Sequence, residues 1–180
     1  NPSPIQKNYL PEDFRADAAP FKVEKSVHIQ VGAEIKQSVE ETAFIQEMSE
    51  RHQLPNAIVA YCDLEQANRC ALLEQHQKYT NLRGIRQIVG RSPKEKHTAS
   101  TLLENPQWLV GLKELSKRNL RFDLQLIPDQ MDKAFNVFSQ VEDLPVVLCH
   151  AGSPWYRDIE GWKMWQAGLE KLAQLPNFFC

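Results

Sequence analysis

The feature that most constrains the fold of this 180-residue chain is a regular alternation of short apolar segments with longer amphipathic ones. The short segments are rich in β-branched and aromatic residues, which is typical of strands. The longer segments place apolar residues three or four positions apart, which predicts helices. Because no hairpin signal lies between successive strands, we expect right-handed crossovers and a parallel sheet.

This pattern predicts a single α/β domain over residues 1–180. The strands are predicted at residues 21–31, 56–62, 82–89, 121–127, 145–150 and 177–180. The helices are predicted at residues 38–53, 64–79, 106–117, 129–140 and 159–175, with a polar loop at 90–100. Ser38 is the expected N-cap of the first helix, where Glu40 and Glu41 suit the positive end of the helix dipole.

Two architectures are built from this repeat, a closed (β/α)8 TIM barrel and an open, doubly wound sheet. The first strand is followed by Val-Gly-Ala-Glu at residues 31–34, not by the G-x-G-x-x-G turn of dinucleotide-binding sheets. Barrels place active-site groups at the carboxyl ends of their strands. Polar residues recur there in this chain: His28, Gln30, Arg86, Asp123 and Gln125. The sequence therefore favours the barrel.

Composition limits the partners and the compartment that we expect. The formal net charge is -2 and no run of Lys or Arg occurs, which predicts neither a nucleic acid nor a membrane as partner. No apolar stretch approaches the ~20 residues that span a bilayer. The four cysteines have no C-x-x-C spacing, which predicts free thiols in a reducing compartment, and hence a cytoplasmic protein.

His150 is the best candidate for a functional residue. It ends the apolar segment Pro-Val-Val-Leu-Cys-His at 145–150 and precedes a loop with Gly and Pro. A histidine at such a strand tip is placed to bind a metal ion or to transfer a proton. The alternative is a buried histidine that hydrogen-bonds a backbone group. The chain has no H-x-H, H-E-x-x-H or G-x-S-x-G motif and no cysteine cluster, so His150 has no evident partner ligands.

Four further residues are candidates for substrate binding. Arg86 is predicted to present its guanidinium to a carboxylate or lactone oxygen, the alternative being an ion pair across the barrel mouth. His28 and Gln30 either line the same pocket or form a hydrogen-bonded pair in the core. Trp155, with the Tyr-Arg pair after it, forms a pocket wall or covers the barrel rim. The remaining histidines are predicted to be solvated: His52, His76 and His97.

Several stretches of the chain, in this order and spacing, are similar to a known family. They are Leu82–Arg86, Trp108–Gly111, Phe122–Leu124, Pro145–Pro154, Leu172–Ala173 and Pro176–Asn177. From about Tyr9 to Cys180 the chain resembles the amidohydrolase-related, metal-dependent hydrolases of TIM-barrel fold. The resemblance is to the branch that contains sugar-lactone hydrolases and 2-pyrone-4,6-dicarboxylate lactonases.

The resemblance implies that this chain covers only part of a barrel. In that family the first strand carries an H-x-H pair and the last strand carries an aspartate, and neither is present here. Aligned strand by strand, the chain corresponds to barrel strands two to seven. We therefore expect a fragment of a TIM barrel that is inactive by itself, because a barrel that lacks strands cannot close.

The resemblance also implies roles for two residues. The family's strand-six histidine corresponds to His150, which would contact a divalent metal, zinc first, or polarise a substrate carbonyl. Arg86 would anchor the substrate. The implied reaction is attack of activated water on a lactone of a sugar acid or dicarboxylate, a small-molecule substrate. The alternatives are a non-oxidative decarboxylase and an inactive barrel or binding module, and a homo-oligomer is compatible with the sequence.

Overall fold

The computed structural model of the chain describes residues 7–94 and 99–180. Within them lie six parallel strands: β1 (Val27–Ile29), β2 (Ala57–Ala60), β3 (Leu82–Ile85), β4 (Arg121–Leu124), β5 (Val146–Leu148) and β6 (Phe178–Phe179). The strands neighbour one another in chain order, and each pair is parallel. A doubly wound sheet reverses its strand order at a switch point, whereas a barrel keeps chain order throughout. The sheet is therefore built as an arc of a barrel.

Seven helices in the described residues connect or flank these strands. They are α1 (Pro11–Ala18), α2 (Ser38–His52), α3 (Arg69–His76), α4 (Ala99–Glu104), α5 (Pro106–Lys117), α6 (Met131–Phe138) and α7 (Ile159–Leu172). Single 3-10 turns cover Ile35–Gln37 and Pro128–Gln130, and a turn with left-handed backbone covers Cys149–Gly152. Helix α5 has the bounds predicted from its apolar spacing, and Asn105 caps it by accepting a hydrogen bond from the backbone N–H of Gln107 at 2.9 Å. Helices α1 and α4 were not predicted, since neither carries a long apolar stripe.

Each strand is shorter than its apolar segment predicts. The ladder of β3 ends at Ile85, although the apolar segment continues to Val89. Val89 is nevertheless fully buried, and its backbone N–H donates to the carbonyl of Gln125 at 3.0 Å. Residues after the ladder stay buried because they pack at the base of the open end of the barrel, at the carboxyl ends of the strands. Apolar residues mark buried positions whether or not these belong to the strand ladder, so the apolar segment overestimates the length of β3.

The core fills the layer between the sheet and its helices. Its largest members are Trp108 of α5, Phe122 of β4 and Phe138 of α6, all almost fully buried. Trp108 meets Phe122 and Phe138 edge-on, with ring centroids 5.5 and 6.0 Å apart. The Trp108 indole N–H donates to the side-chain oxygen of Gln87 at 3.0 Å, which also accepts from the backbone N–H of Leu64 at 3.1 Å. Gln87 thus satisfies the polar groups that this packing buries.

The opposite face of the sheet is concave and partly open. Val27 and Ile29 of β1 and Phe179 of β6 lie at its two edges and are 50%, 36% and 54% exposed. Towards the middle, Val59 and Gly84 are buried, and a side chain at Gly84 would collide with Arg121 on the neighbouring strand. This face corresponds to the interior of a barrel, and its residues are least exposed on β2, β3 and β4.

The prediction that His76 is solvated is wrong. His76 is the last residue of α3 and is 0% exposed, because it faces α2 rather than solvent. Its Nδ1 lies 2.9 Å from the hydroxyl of Thr42, which itself donates to the carbonyl of Ser38 at 3.2 Å. His52 is partly buried, with its Nδ1 2.9 Å from the Glu12 carboxylate. His97 lies outside the described residues.

Two expectations from the sequence bear on the surroundings of the chain. No helix in the described ranges, 7–94 and 99–180, is long and apolar enough to cross a membrane. All four cysteines have free thiols, as their spacing predicted.

Candidate functional site

The carboxyl ends of the strands surround two adjoining cavities. The first lies over β1 to β3 and is here called the β1–β3 cavity; its lining includes Gln30, Tyr61, Asp63, Gln87 and Arg91. The second lies over β4 and β5, has a volume of about 500 Å³, and is here called the His150 cavity. It is lined by Arg91, Gln125, His150, Ser153, Pro154, Trp155 and Arg157. Arg91 lines both cavities.

The backbone at His150 is held in an unusual conformation. Directly after β5, His150, Ala151 and Ser153 have φ of 53°, 49° and 49°, and Gly152 has φ of 70°. Positive φ costs roughly 1 kcal/mol or more for each non-glycine residue, so three within one turn need support from their surroundings. The Ser153 N–H donates to the His150 carbonyl at 2.9 Å, and the Trp165 indole donates to the Ala151 carbonyl at 2.7 Å.

This conformation turns the His150 imidazole towards the cavity. His150 is exposed, and no hydrogen bond or ion pair joins its imidazole to another described residue. The alternative of a buried, backbone-bonded histidine therefore does not describe it. Backbone strain of this kind is concentrated at functional sites, where it holds a side chain in place for chemistry.

Arg86 connects non-adjacent strands at the carboxyl end of the sheet. Its Nη2 donates to the backbone carbonyl of Gln30 at 2.6 Å, and its Nη1 donates to the Gln125 side-chain oxygen at 3.5 Å. These bonds join the carboxyl ends of β1 and β4 across the barrel mouth. They are not the ion pair considered as the alternative, and the buried Nε has no hydrogen-bond partner among the described residues.

Below Arg86, Asp123 and Cys149 face the concave side of the sheet. Asp123 is buried, its Oδ1 has no hydrogen-bond partner among the described residues, and the Nε of Arg121 lies 3.8 Å from that atom. Burial raises the pKa of Asp123, although Arg121 and Arg86 oppose the shift. Burial likewise raises the pKa of the Cys149 thiol, next to Asp123 and Arg86. The alternation of Asp123 with apolar neighbours was visible in the sequence, but it did not show that Arg86 would lie above it.

Gln30 lines the β1–β3 cavity, but its side-chain oxygen is occupied locally. It accepts a hydrogen bond from the backbone N–H of Gly32 at 2.7 Å, and its own backbone carbonyl accepts from Arg86. The N–H groups of its amide remain available to a ligand. Substrate binding by Gln30 stays a prediction that this position allows.

His28 lies on the other side of β1 and lines neither cavity. Its Nε2 is 2.9 Å from the Glu41 carboxylate on α2, and the same carboxylate oxygen accepts from the Val31 N–H at 3.0 Å. Burial raises the pKa of Glu41, but these two hydrogen bonds lower it, and the result lies below the usual range. His28 and Gln30 therefore do not share a pocket. The structure places His28 in the contact between sheet and helix.

Trp155 forms a wall of the His150 cavity. Its ring is 51% exposed, and its indole N–H donates to the backbone carbonyl of Arg91 at 2.9 Å. This bond joins the loop after β5 to the loop after β3. The sequence left Arg157, like Trp155, as either a pocket wall or a cover of the barrel rim. It did not single out Arg91, Gln125 or Ser153 as neighbours of His150, because no local signal connects segments that meet only in the folded chain.

The described residues alone do not make a zinc site. No group of three His, Cys, Asp or Glu side chains is placed to hold a metal ion in residues 7–94 and 99–180. The neighbours of His150 in its cavity include Arg91 and Arg157, whose positive charges repel a cation. Zinc needs three or four ligands, of which His150 is one candidate.

A model of the amidohydrolase family matches residues 6–180 of this chain. The chain belongs to the amidohydrolase family. Among its relatives, an uncharacterized protein of Sinorhizobium fredii, y4mH, is 34% identical over 98% of this chain and 60% of its own length. This amidohydrolase chain thus spans less than two thirds of that relative.

Solved structures agree on the fold. An amidohydrolase from Burkholderia multivorans, solved with bound zinc, has a TM-score of 0.81 at 22% identity, covering 97% of this chain and 58% of its own. A probable 2-pyrone-4,6-dicarboxylic acid hydrolase from Acinetobacter baumannii, solved with citric acid, has a TM-score of 0.61 at 16% identity, covering 93% of this chain and 60% of its own. The predicted α/β fold, part of a TIM barrel, is confirmed.

Proposed function

We propose that this chain forms part of a hydrolase that opens the lactone of a sugar acid or dicarboxylate by attack of activated water. The observation that carries the proposal is the strained, supported backbone that presents the His150 imidazole, which has no partner among the described residues, to a cavity at the carboxyl end of β5. Membership of the amidohydrolase family supports hydrolysis as the reaction class. The lactone as substrate rests on the resemblance of the sequence to the lactonase branch.

In this proposal the chain's own residues bind and orient the substrate. The imidazole of His150 donates a hydrogen bond to the lactone carbonyl oxygen and stabilises the negative charge that develops there. The Arg86 guanidinium anchors the substrate at the carboxyl ends of the strands. Trp155 supplies an apolar wall that excludes water from one side of the ring.

A divalent metal, zinc first, is the alternative form of this proposal: His150 would then be one of its ligands rather than a donor to the lactone carbonyl, against the repulsion of Arg91 and Arg157. It would supply Lewis-acid chemistry at the substrate carbonyl. The zinc in the Burkholderia multivorans structure belongs to that protein, and the described residues here offer too few ligands by themselves. Metal analysis of the protein made from the complete reading frame tests this point. Less than about 0.1 zinc per chain after purification without chelators would contradict it.

The reaction is tested with the protein from the complete reading frame, because the chain spans 58–60% of its relatives. Aldonolactones and lactones with additional carboxylates are offered, and ring opening is followed by acid release in a weakly buffered indicator assay. We expect hydrolysis that His150→Ala lowers by about 100-fold or more in kcat/KM. The matched control is His52→Ala, which removes a partly buried histidine at the end of α2, away from both cavities.

The non-oxidative decarboxylase is the competing reaction on the same scaffold. Aromatic carboxylic acids are offered to the same protein, and carbon dioxide release is measured. Carbon dioxide release without any lactone opening would overturn the proposed hydrolase. Lactone opening that His150→Ala leaves unchanged would remove His150 from the reaction and favour a structural role for it.

A further inference from the structure

Asp123 is a buried carboxylate whose charge is poorly compensated by its surroundings. It lies in β4 on the concave face of the sheet and is 5% exposed. Its Oδ1 has no hydrogen-bond partner in residues 7–94 and 99–180, and the Nε of Arg121 is 3.8 Å from it, beyond hydrogen-bond distance. Buried carboxylates usually have hydrogen bonds or a close ion pair that offset their loss of hydration.

Glu41 shows the contrasting case of a carboxylate that stabilises this fold. Burial raises the pKa of Glu41, but its bonds to His28 and to the Val31 N–H lower it below the ordinary value. The pKa of Asp123 is raised above its ordinary value of 3.8 by burial, although two arginines oppose the shift. The stabilisation from a carboxyl with a raised pKa is present in acid and is lost as the group ionises. At neutral pH, Asp123 therefore costs stability, whereas Glu41 contributes it.

Titratable groups that are kept at a cost in stability are typical of functional sites, and Asp123 lies beneath Arg86. The two hydrogen bonds of the Arg86 guanidinium go to neutral groups, the backbone carbonyl of Gln30 and the side chain of Gln125. A partly buried guanidinium stays charged, so it needs a negative charge nearby. Asp123 is two residues before Gln125 on the neighbouring strand, and the charge of Arg86 acts on its pKa.

The other groups around Arg86 do not supply this charge. The Cys149 thiol on β5 adjoins Arg86, but burial raises its pKa, so the thiol stays neutral. Glu41 also feels the charge of Arg86, but less than it feels its bonds to His28 and Val31. Asp123 is therefore the negative charge that β4 and β5 offer to Arg86 within the described part of the chain.

We propose that Asp123 is a positioning residue, whose carboxylate beneath Arg86 holds the guanidinium in place at the carboxyl ends of the strands. The consequence for the substrate rests on the proposed function, in which Arg86 anchors the substrate, whereas the contact between Asp123 and Arg86 does not. Asp123 itself does not touch the substrate, because Arg86 lies above it. Loss of its charge should weaken substrate binding and leave the chemical step nearly unchanged.

The contact is tested by NMR on the protein from the complete reading frame, without substrate. Selective isotope labelling of arginine shows the side-chain Nε–H groups, and the Arg86 signal is the one that Arg86→Lys removes. Its exchange with water should be slow in the parent protein, because this Nε is buried. Asp123→Asn should accelerate the exchange about tenfold or more, since the guanidinium then turns towards solvent. An exchange rate equal to that of the parent would overturn the proposal.

Two control variants accompany this measurement. Asp143→Asn changes the charge equally at an exposed position in the loop before β5, and it should leave the Arg86 signal as in the parent. Arg121→Gln keeps the side-chain carbons that pack at Gly84, and it should also leave the signal unchanged. Equal acceleration by Arg121→Gln would show that Arg121, and not Asp123, controls Arg86, and would overturn the proposal.

Stability distinguishes positioning from structural support. Asp123→Asn removes a buried, poorly compensated charge, so its melting temperature at neutral pH should equal or exceed that of the parent. Glu41→Gln, the matched loss of a well-bonded carboxylate, should melt at a lower temperature. A melting temperature of Asp123→Asn clearly below that of the parent would mean that this carboxylate stabilises the fold, and would overturn the proposal.

Kinetics separate this proposal from the proposed function. With a lactone that the parent opens, Asp123→Asn should raise KM about tenfold and change kcat less than about threefold, because only binding is affected. A lower kcat at unchanged KM would overturn the positioning role. Faster exchange at Arg86 in a protein that opens no lactone would keep the positioning role and overturn the hydrolase. Lactone opening together with an unchanged Arg86 signal in Asp123→Asn would keep the hydrolase and overturn the positioning role.

Discussion

Two histidines of this chain show how strongly local surroundings decide the chemistry of a residue. His76 is the last residue of α3, and His150 lies in the turn directly after β5. His76 is enclosed between α3 and α2, and burial lowers its pKa to about 4. His150 faces an open cavity on a supported, strained turn. At the scale of the residue, the turn after β5 makes His150 available for chemistry.

The buried His76 should make stability fall in mild acid. Burial lowers its pKa to about 4 in the folded protein, whereas the ordinary pKa of histidine in an unfolded chain is 6.5. Between these values the unfolded state binds a proton that the folded state does not, so the free energy of unfolding decreases as the pH falls. We expect a decrease of about 2–3 kcal/mol from this group alone.

Urea unfolding at about pH 7, above this range, and at about pH 4.5, near its lower end, measures the decrease for the parent and for His76→Gln. The variant should lose most of the pH dependence, whereas His52→Gln, a histidine in a partly exposed ion pair, should keep it. An identical pH dependence in the parent and in His76→Gln would show that His76 does not titrate as expected.

Glu41 joins β1 to α2, and its effect on the free energy of unfolding should appear at lower pH than that of His76. Its carboxylate accepts hydrogen bonds from His28 and from the Val31 N–H, and its pKa lies below the ordinary value of 4.5. Its stabilisation is therefore complete above that value and is lost as the pH falls through the lowered pKa. Glu41→Gln should lower the free energy of unfolding at neutral pH by about 1–3 kcal/mol, as judged by urea denaturation.

The control for Glu41 is its neighbour in the same helical turn. Glu40 is exposed, so Glu40→Gln changes the charge equally without removing the bonds to His28 and Val31. Equal effects of the two substitutions would mean that net charge, and not the contact between β1 and α2, determines the loss.

At the scale of the elements, close packing of helices on the sheet sets the positions of the loops that follow the strands. Helix α5 approaches the turn after β2 so closely that Gly111 lies against Leu64. A Cβ at Gly111 would be 2.5 Å from the Leu64 carbonyl oxygen and 2.6 Å from its Cβ. The Leu64 N–H also donates its hydrogen bond to Gln87, so this contact supports the floor of the β1–β3 cavity.

Gly111→Ala should therefore destabilise the protein, although alanine is the better helix former by ~1 kcal/mol. We expect a net loss of about 1–3 kcal/mol, because both the Leu64 backbone and its side chain would have to move. Thermal unfolding followed by circular dichroism measures the effect. Lys113→Ala, an exposed position of the same helix, is the control and should change little. A higher melting temperature for Gly111→Ala would show that helix propensity outweighs the contact.

At the scale of the whole molecule, the sheet formed by the described residues has two unpaired edges. Val27, Ile29 and Phe179 are exposed along the concave face and at its ends. Unpaired strand edges with apolar side chains promote association between chains. The expectation of a homo-oligomer stays a prediction, and so do the small-molecule substrate and the cytoplasmic location.

The 180-residue chain by itself should associate through these edges. Sedimentation velocity over a range of concentrations should show species larger than a monomer, and Val27→Lys should reduce them because a charge at the edge opposes strand pairing. Val110→Lys, the same change on the exposed surface of α5, is the control. A strictly monomeric parent chain, or equal reduction by both substitutions, would rule out the edge as the site of association.

The sequence by itself determined the α/β class and the order of strands and helices. These follow from a local signal, the apolar periodicity, which also determined the bounds of α5. The expected cap at Ser38 was wrong, since Ser38 is the first residue of α2 and its side chain caps nothing. The prediction that His76 is solvated was wrong because the sequence of a short helix does not show which of its faces packs against another element.

Tertiary structure alone decided which polar residues meet. It placed His28 with Glu41 on the helix side of β1, and it brought Arg91, from the loop after β3, to His150 and Arg157. It also produced the positive φ run that turns the imidazole into the cavity. These contacts depend on strand register and on the direction of loops, which are set by packing over the whole sheet and leave no local signal in the sequence.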